Sequence, residues 1–363
     1  MNKKKIIIIF MLLFNILCVH VSAQKITVME SDYTEAYKRW LALPESERKN
    51  TMQPSKYYIQ TPRRLGNISG TRAPIGSTSA TSFSLLDKGK INTSTKVQGT
   101  TNSCWAFAVL ESVESSALIE NASSYTLSAA HLEVATSSSG IMPFNRAINS
   151  GGDTVFGAPY FLGRIGPVNA ISGIDGNNYS ANVINSNIST VKAKDNNPVL
   201  IVNDYDTFGT GSTCNTDTIK YIKEYLTTKG AIGVGIYYIR NNSSLCQTVS
   251  GADHKVCKYN GNEPANHGVT IIGWNDNIRA WLVKSSTLSS SDTSDKYFYV
   301  SYDDNRICET LTGYYNVEIV DKVEDNIHIY DKIGDNFYRE YYVDTGTVPD
   351  VVLANIFPKN GSS

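Results

Sequence analysis

Apolar and polar positions follow two different periods along this chain, and the change of period predicts two structural halves. In the first half, apolar side chains recur at roughly helical spacing after Cys104, at Ala106, Val109, Leu110, Val113 and Ala117. In the second half the apolar runs are short and either alternating or continuous, as in strands: AIGVGIYYI, GVTIIGW, AWLVKS and KYFYVSYDD. A helical half followed by a β half predicts an α+β fold with two lobes, and a cleft between lobes is a common place for a site.

Other stretches set the expected domain boundaries. SDYTEAYKRWLALPESERKN predicts a short helix that stops before Pro44, and GNISGTRAPIGSTSATS predicts a flexible linker after it. We call residues 24–80 the leader segment and expect the main domain over residues 81–320. Within that domain, IKEYLTTKG predicts a helix ended by Gly230, whereas the region from Gly151 to residue 215 predicts loops apart from NPVLIVN.

The N-terminus has the pattern of a secretory signal peptide. Three lysines, Lys3 to Lys5, precede the apolar run IIIIFMLLFNILCV, and a small-residue cleavage pattern ends at Ala23. We therefore expect residues 1–23 to be removed and the mature protein to be secreted or held at the cell surface, with no membrane contact afterwards. A retained anchor helix is the alternative. A net charge of −1 over 363 residues argues against nucleic acid as a partner.

The number and positions of the cysteines predict one unpaired thiol. Cysteines outside the cytosol tend to pair, and five remain after the signal peptide: Cys104, Cys214, Cys246, Cys257 and Cys308. Cys104 is the candidate for the unpaired thiol, because it begins a predicted helix whose dipole favours a thiolate. The other four are disulfide candidates in any of three connectivities. His254 lies between Cys246 and Cys257, so a metal site is the alternative to a disulfide there, although we predict neither a metal nor a cofactor.

A reactive thiol needs a base, and one histidine has a suitable context. NHGVTIIGW places His267 after a loop and at the start of a strand on the opposite lobe. A structural histidine that caps the strand is the alternative.

Three motifs together resemble the papain-like cysteine peptidases. QGTTNSCWAF resembles the family's segment around the catalytic cysteine, NHGVTIIGW its histidine strand, and AWLVKSS the strand and turn that follow, across residues 82–320. The resemblance implies a two-lobed fold, in which a helical lobe with a central helix starting at the nucleophile faces a β-barrel-like lobe. It implies a thiol peptidase that acts on peptides or proteins, with the leader segment as a propeptide over the cleft.

The resemblance also assigns roles to single residues. Cys104 would be the nucleophile, His267 its general base and acid, and Gln98 the side-chain donor to the oxyanion. NSGGDTVFGAPY resembles the glycine pair that binds an extended substrate. The substrate-binding candidates are Gly151, Gly152 and Asn266.

The chain departs from the family pattern at the site itself. Thr101 and Asn102 stand where the family usually has a cysteine and a glycine, so the usual disulfide is missing there. Ser285 replaces the asparagine that orients the histidine, and Thr287 replaces the tryptophan that shields that contact. Because a serine hydroxyl has a shorter reach, we expect a water or a shifted backbone to bridge it to His267. The departures predict a weakened or retuned peptidase; a papain-like module that has lost catalysis and serves as a surface binding protein is the alternative.

The C-terminal segment, residues 321–363, carries a second resemblance. NVEIVDKVEDNIHIYDKIGDNFYREYY and VVLANIFPKNGSS resemble the junction and first strands of a lectin-like domain that follows the peptidase domain in some prokaryotic members. The segment is long enough for only the start of such a domain; the alternative is that these strands pack on the peptidase domain. A cell-surface glycan is therefore an expected partner through a C-terminal extension.

Overall fold

Residues 35–48 and 73–320, apart from 143, 145, 241, 292 and 293, are described by the computed structural model. The expected signal peptide, much of the leader segment and the expected C-terminal strands lie outside these residues. Among the helices that are described, none combines the length and the apolar character needed to span a bilayer.

One long helix and several short ones come mainly from the first half of the chain. The leader segment forms α1 (Glu35–Ala42) and α2 (Glu45–Arg48), which Pro44 separates as expected. The long helix is α3 (Cys104–Glu120), and it begins at the cysteine. The further helices are α4 (Ala129–Ala135), α5 (Gly157–Leu162), α6 (Ala181–Ser186), α7 (Ile188–Lys192) and α8 (Thr216–Thr228), with 3₁₀ turns at Thr154–Phe156 and Gly176–Asn178.

The region between residues 151 and 215 contains more helix than the sequence predicts. Three short helices and both 3₁₀ turns lie there, and each is too short for an apolar period to be visible. Two of them begin at local caps: Asp153 accepts from the N–H of Val155, and Ser180 accepts from the N–H of Val183. The expectation of loops was wrong for this reason.

The strands form one mainly antiparallel sheet. They are β1 (Ser82–Ser84), β2 (Leu200–Phe208), β3 (Ile232–Ile236), β4 (Cys246–Gln247), β5 (Val256–Cys257), β6 (His267–Asn275), β7 (Ala280–Ser285), β8 (Tyr297–Ser301) and β9 (Leu311–Ile319). Their order is β2-β9-β3-β6-β7-β8-β5-β4, with β1 paired to β6. β5 and β8 run parallel.

Buried side chains form two clusters, which confirm the two-lobed α+β prediction. The first cluster lies among α3, α4 and α5 and includes Trp105 and Leu132. The second lies between α8 and strands β3, β6, β7 and β8, and includes Trp274 and Leu226. Helix α3 packs against β3, β6 and β9, so it is the element that joins the lobes.

Two buried ion pairs hold α3 in this position. Glu114 pairs with Lys96, with 2.6 Å between Oε1 and Nζ, and Glu111 pairs with Lys284 of β7. All four side chains are almost fully buried. Removing one partner would leave an uncompensated charge, which typically costs about 3–5 kcal/mol. The helix that carries Cys104 is therefore fixed to both the segment before Gln98 and the β lobe.

Candidate active site

Cys104 is the first residue of α3, and a strand of the other lobe crosses directly over it. The thiol residue is only 4% exposed. A Cβ added to Gly268 would lie 2.8 Å from the backbone nitrogen of Trp105, so glycine alone allows this approach. His267 precedes Gly268 at the start of β6. The crossing therefore brings the candidate base to the head of α3.

The Cys104 thiol is protonated at neutral pH despite its position at a helix end. Burial raises the pKa of the thiol to about 11, although hydrogen bonds from the backbone N–H groups of Gly268 and Trp105 favour the thiolate. The expectation of a lowered pKa was wrong in direction, because it counted the helix dipole and not the loss of water. Attack by this sulfur therefore requires a base.

His267 makes a direct hydrogen bond to Ser285, with 2.8 Å between Nε2 and Oγ. The Ser285 hydroxyl donates to the carbonyl of Ser286 at 3.0 Å, so it accepts from the Nε2–H of the ring. This tautomer, assigned from the hydrogen bonds, leaves the Nδ1 lone pair to take a proton.

The expected bridge between serine and histidine is not needed. β7 runs beside β6 with Ser285 opposite Val269, which places Ser285 diagonally across from His267. The predicted bridge was wrong, because the spacing of the two strands brings the short serine side chain within direct reach of the ring.

The surroundings of His267 favour the neutral ring. Burial lowers the pKa of the imidazole to about 4, and the charge of Arg240 acts in the same direction. The Tyr238 ring lies 5.5 Å from the imidazole at an angle of 30°, and it also stacks on Phe298. Asp295 pairs with Arg240 at 3.0 Å and hydrogen-bonds to Tyr238. A neutral thiol therefore faces a neutral base, rather than a preformed ion pair.

The Gln98 side chain is held from both ends. Its Oε1 accepts from the Ser286 hydroxyl at 2.5 Å, and its Nε2 donates to the carbonyl of Thr101 at 2.8 Å. The amide carries a second N–H, which this bond does not use. The carbonyl of Thr287 accepts from the backbone N–H of Gln98 at 2.9 Å. Ser285 and Ser286 thus connect the histidine and the glutamine through two consecutive residues.

The glycine pair lies beside the first turn of α3. A Cβ added to Gly152 would lie 2.4 Å from the Trp105 ring, so no larger residue fits without a shift. Arg146 covers the same ring, with its guanidinium 4.9 Å from the centroid. It also donates to the carbonyl of Ser150 at 2.9 Å and to that of Gly151 at 3.5 Å. The backbone of the pair is therefore fixed against the residue that follows Cys104.

This arrangement matches a known family. The family model described as papain family cysteine protease matches residues 80–316 of the chain. The chain belongs to the papain family of cysteine proteases. No protein with a curated description matches it significantly.

Two solved structures share the papain-like fold. One contains the cysteine protease and lectin-like domains of Cwp84, a surface layer associated protein of Clostridium difficile; it is 22% identical with a TM-score of 0.58, over 80% of this chain and 61% of that one. The other is a variant of clostridial Cwp84 after propeptide cleavage. It is 23% identical with a TM-score of 0.52, and the match covers 67% of this chain and 59% of that one. The chain thus spans about three fifths of the length of each structure.

At the place where this papain-family member lacks the usual disulfide, two asparagines join the loop before Cys104 to the glycine loop. The N–H of Asn102 donates to Oδ1 of Asn149 at 2.9 Å, and its side-chain amide donates to the Asn149 carbonyl at 3.1 Å. Asn149 adopts a left-handed conformation with φ of 66°, which asparagine tolerates, and its N–H donates to Glu133 at 2.7 Å. Sequence reasoning missed this pair; the departure at Asn102 was its only signal.

The side chain of Asn266 is used within the protein. The side-chain Oδ1 accepts from the backbone N–H of Tyr238 at 2.7 Å. The backbone N–H of Asn266 donates to the carbonyl of Ile236 at 2.9 Å. Its predicted contact with substrate would therefore come from its carbonyl group and stays a prediction.

The other cysteines of the described chain form two disulfides. These are Cys214–Cys308 and Cys246–Cys257, and Cys104 is the free one among the described residues. The second bridge closes the loop that contains His254, so its sulfurs do not serve a metal. In the described part of the chain, no group of His, Cys, Asp and Glu has an arrangement that could hold a metal ion.

Proposed function

We propose that the protein is a thiol peptidase that hydrolyses peptide bonds through an acyl-enzyme on Cys104. The observation that carries this proposal is the direct bond from His267 to Ser285 beside the head of α3. It supplies an oriented, neutral base to a neutral thiol, which is the role expected of the family's histidine and asparagine. Ser285 therefore substitutes for the asparagine in orienting the ring.

Acylation follows from these positions. Nδ1 of His267 takes the thiol proton of Cys104 as the sulfur attacks the carbonyl carbon of the scissile bond. The π electrons move to the carbonyl oxygen, which accepts hydrogen bonds from the Cys104 backbone N–H and the second N–H of Gln98. The imidazolium then gives its proton to the leaving amine, the C–N bond breaks, and a thioester remains.

Deacylation uses the same groups. His267 removes a proton from a water molecule as the water oxygen attacks the thioester, and the new oxyanion uses the same two donors. The C–S bond breaks, the imidazolium returns its proton to the sulfur, and the acid product leaves. The neutral thiol and neutral base are thereby restored.

Substrate would bind in extended form beside α3. The backbone groups of Gly151 and Gly152 would pair with the substrate main chain, and the Asn266 carbonyl would accept from a substrate N–H. The close contact of Gly152 with Trp105 fixes this backbone beside α3.

The finer parts of the proposal concern location and activation. We propose secretion after removal of residues 1–23, a zymogen state maintained by the leader segment, and contact with cell-surface glycan through a C-terminal extension. The surface layer association, lectin-like domain and propeptide cleavage of Cwp84 support them by analogy. Sequencing of the secreted protein should give Gln24 as the first residue.

The test uses the full chain cut at an engineered protease site in the predicted linker. We expect hydrolysis of denatured protein and labelling of Cys104 by iodoacetamide, located by peptide mapping. Cys104→Ala should abolish both, and His267→Ala should abolish hydrolysis with the fold retained by circular dichroism.

The alternative is a binding module without catalysis. The buried, protonated thiol is the observation that favours it. A folded, cut protein that binds peptides, leaves them intact and does not react with iodoacetamide would replace the peptidase proposal with this one.

A further inference from the structure

The leader segment contacts the main domain through a buried carboxylate. Arg39 of α1 approaches Glu309, with 3.3 Å between Nη2 and Oε1. The Glu309 side chain is 9% exposed, whereas that of Arg39 is 36% exposed. The two residues are 270 positions apart in sequence. Glu309 therefore holds a guanidinium that a separate segment supplies.

Glu309 has one fixed cationic neighbour and two acidic ones. Arg306 approaches the same Oε1 at 3.5 Å, while its other nitrogens donate to backbone carbonyl groups that hold it in place. Asp304 and Asp153 both raise the pKa of Glu309 through their charge. The oxygens of Asp304 accept from three backbone N–H groups and are satisfied within the protein. Asp153 is thus the second carboxyl that could act on a ligand.

Asp153 connects this carboxylate to the cleft. It directly follows Gly152, which packs on the Trp105 ring at the first turn of α3. Asp153 is 4% exposed, and its hydrogen bonds to the Thr154 hydroxyl and the Val155 N–H both use Oδ1. Its Oδ2 remains for another group. The acidic pair therefore borders the glycine pair, where the proposed substrate chain would lie.

We propose that Glu309 and Asp153 form a side-chain subsite of the cleft for a basic residue. Arg39 occupies this subsite while the leader segment is docked, and an arginine or lysine of the substrate occupies it afterwards. The inference rests on the proposed function and gives it a substrate class.

The chemistry of the two carboxyls agrees with a cationic occupant. Burial raises the pKa of Asp153 to about 7 and that of Glu309 to about 7, the latter against the opposing charges of Arg306 and Arg39. At pH 8 both groups are ionised and attract a guanidinium, whereas at pH 5.5 both are protonated and the attraction is lost. The preference for a basic residue should therefore be larger at pH 8.

The first test measures kcat/KM of the cut protein on pairs of peptides. The two members of a pair differ only by arginine or the uncharged isostere citrulline, placed in turn at each of four positions before the scissile bond. We expect a preference for arginine of about tenfold or more at one position at pH 8, as for charge pairs in desolvated sites. It should disappear in Glu309→Gln and shrink at pH 5.5.

The matched control is Glu263→Gln, which removes an exposed carboxylate from the same region and should keep the preference. Equal cleavage of both members at every position, or a preference that survives in Glu309→Gln, would overturn the subsite while leaving the peptidase proposal intact. Absence of any cleavage would instead count against the proposed function.

A second test needs no activity and decides whether Arg39 is held by Glu309. Hydrogen exchange of α1 is measured in the uncut full chain. Arg39→Gln and Glu309→Gln should each speed exchange over residues 35–42, and the double variant should be no faster than the faster single one. Glu263→Gln, which removes an exposed carboxylate, should leave exchange unchanged. Unchanged exchange in both single variants would overturn the docking of Arg39.

Discussion

Ser285 shows how a single short side chain can take over an orienting role. Its hydroxyl is within 2.8 Å of the His267 ring and is itself only 2% exposed. Ser285→Ala should therefore lower kcat by about two- to tenfold, the equivalent of one hydrogen bond. Ser285→Asn should give no gain over the wild type, because the larger side chain must enter a filled space. Turnover of one peptide measures both changes.

Ser301→Ala is the control for Ser285, since it removes a hydroxyl at the end of β8 that caps only a local turn. A Ser285→Ala protein as active as Ser301→Ala would show that the ring is oriented by other contacts.

The buried thiol of Cys104 predicts an unusual pH dependence of alkylation. With a pKa of about 11, the thiolate is a minor species at pH 7 and increases about tenfold for each pH unit up to that value. The rate of reaction with iodoacetamide in the full chain should therefore keep rising between pH 7 and pH 10. A thiolate–imidazolium pair would instead give a rate that is level across this range, and a level profile would contradict the neutral pair.

The Tyr238 ring lies beside the His267 ring, with 5.5 Å between their centroids. Removing this ring in Tyr238→Ala should admit water and raise the pKa of the imidazole from about 4 towards its ordinary value. In the pH profile of kcat/KM, the fall in activity on the acid side should then move to higher pH. An NMR titration of His267 should show the same shift.

Two variants at neighbouring tyrosines separate this effect from a general loss of packing. Tyr238→Phe retains the ring and should keep the pH profile near that of the wild type. Tyr237→Ala removes the neighbouring ring, which stacks on Tyr259 and not on His267. This change should leave the acid side of the pH profile of kcat/KM unmoved. Equal shifts in both alanine variants would remove the special role of Tyr238.

At the scale of elements, the asparagine pair joins two loops that must stay in register. Asn149→Gly should remove the hydrogen bond from the Asn102 N–H to Oδ1, while keeping the bond to the backbone carbonyl and permitting the left-handed backbone, at a cost of about 1–2 kcal/mol in the free energy of unfolding. Asn149→Ala should cost more, because it adds strain at a positive φ. Urea unfolding of the three proteins measures both differences. Equal stability of wild type and Asn149→Gly would show that the two loops do not depend on the side-chain bond of this pair.

Elements with a strong apolar period could be predicted from the sequence. α3 has a regular spacing from Ala106 to Ala117, and β6 and β7 are short apolar runs, so each was located correctly. The helices after Gly152 could not be predicted, because caps such as Asp153 and Ser180 act over two or three residues and leave no period. Local hydrogen bonding decided those segments.

At the scale of the whole molecule, sequence motifs located the candidate site. Contacts between distant parts of the chain, and the burial that they produce, could be found only in the folded structure. The motifs brought Cys104, His267 and Gln98 into one hypothesis because each lies in a recognisable run. The contact between Arg39 and Glu309 joins residues with no shared motif, so only the folded chain reveals it. The same holds for the pKa of Cys104, which depends on how much protein surrounds the sulfur.

The disulfide between Cys246 and Cys257 bears on solubility. It closes the hairpin of β4 and β5, so the sheet ends, among the described residues, in a strand of two residues. Such a short, cross-linked edge offers few backbone groups to a strand of another molecule. If the paired change of both cysteines to serine frees this hairpin, the aromatic strand YFYVS of β8 becomes the edge. Light scattering during incubation should then rise above that of the wild type, and an unchanged signal would show that the hairpin protects the edge without its cross-link.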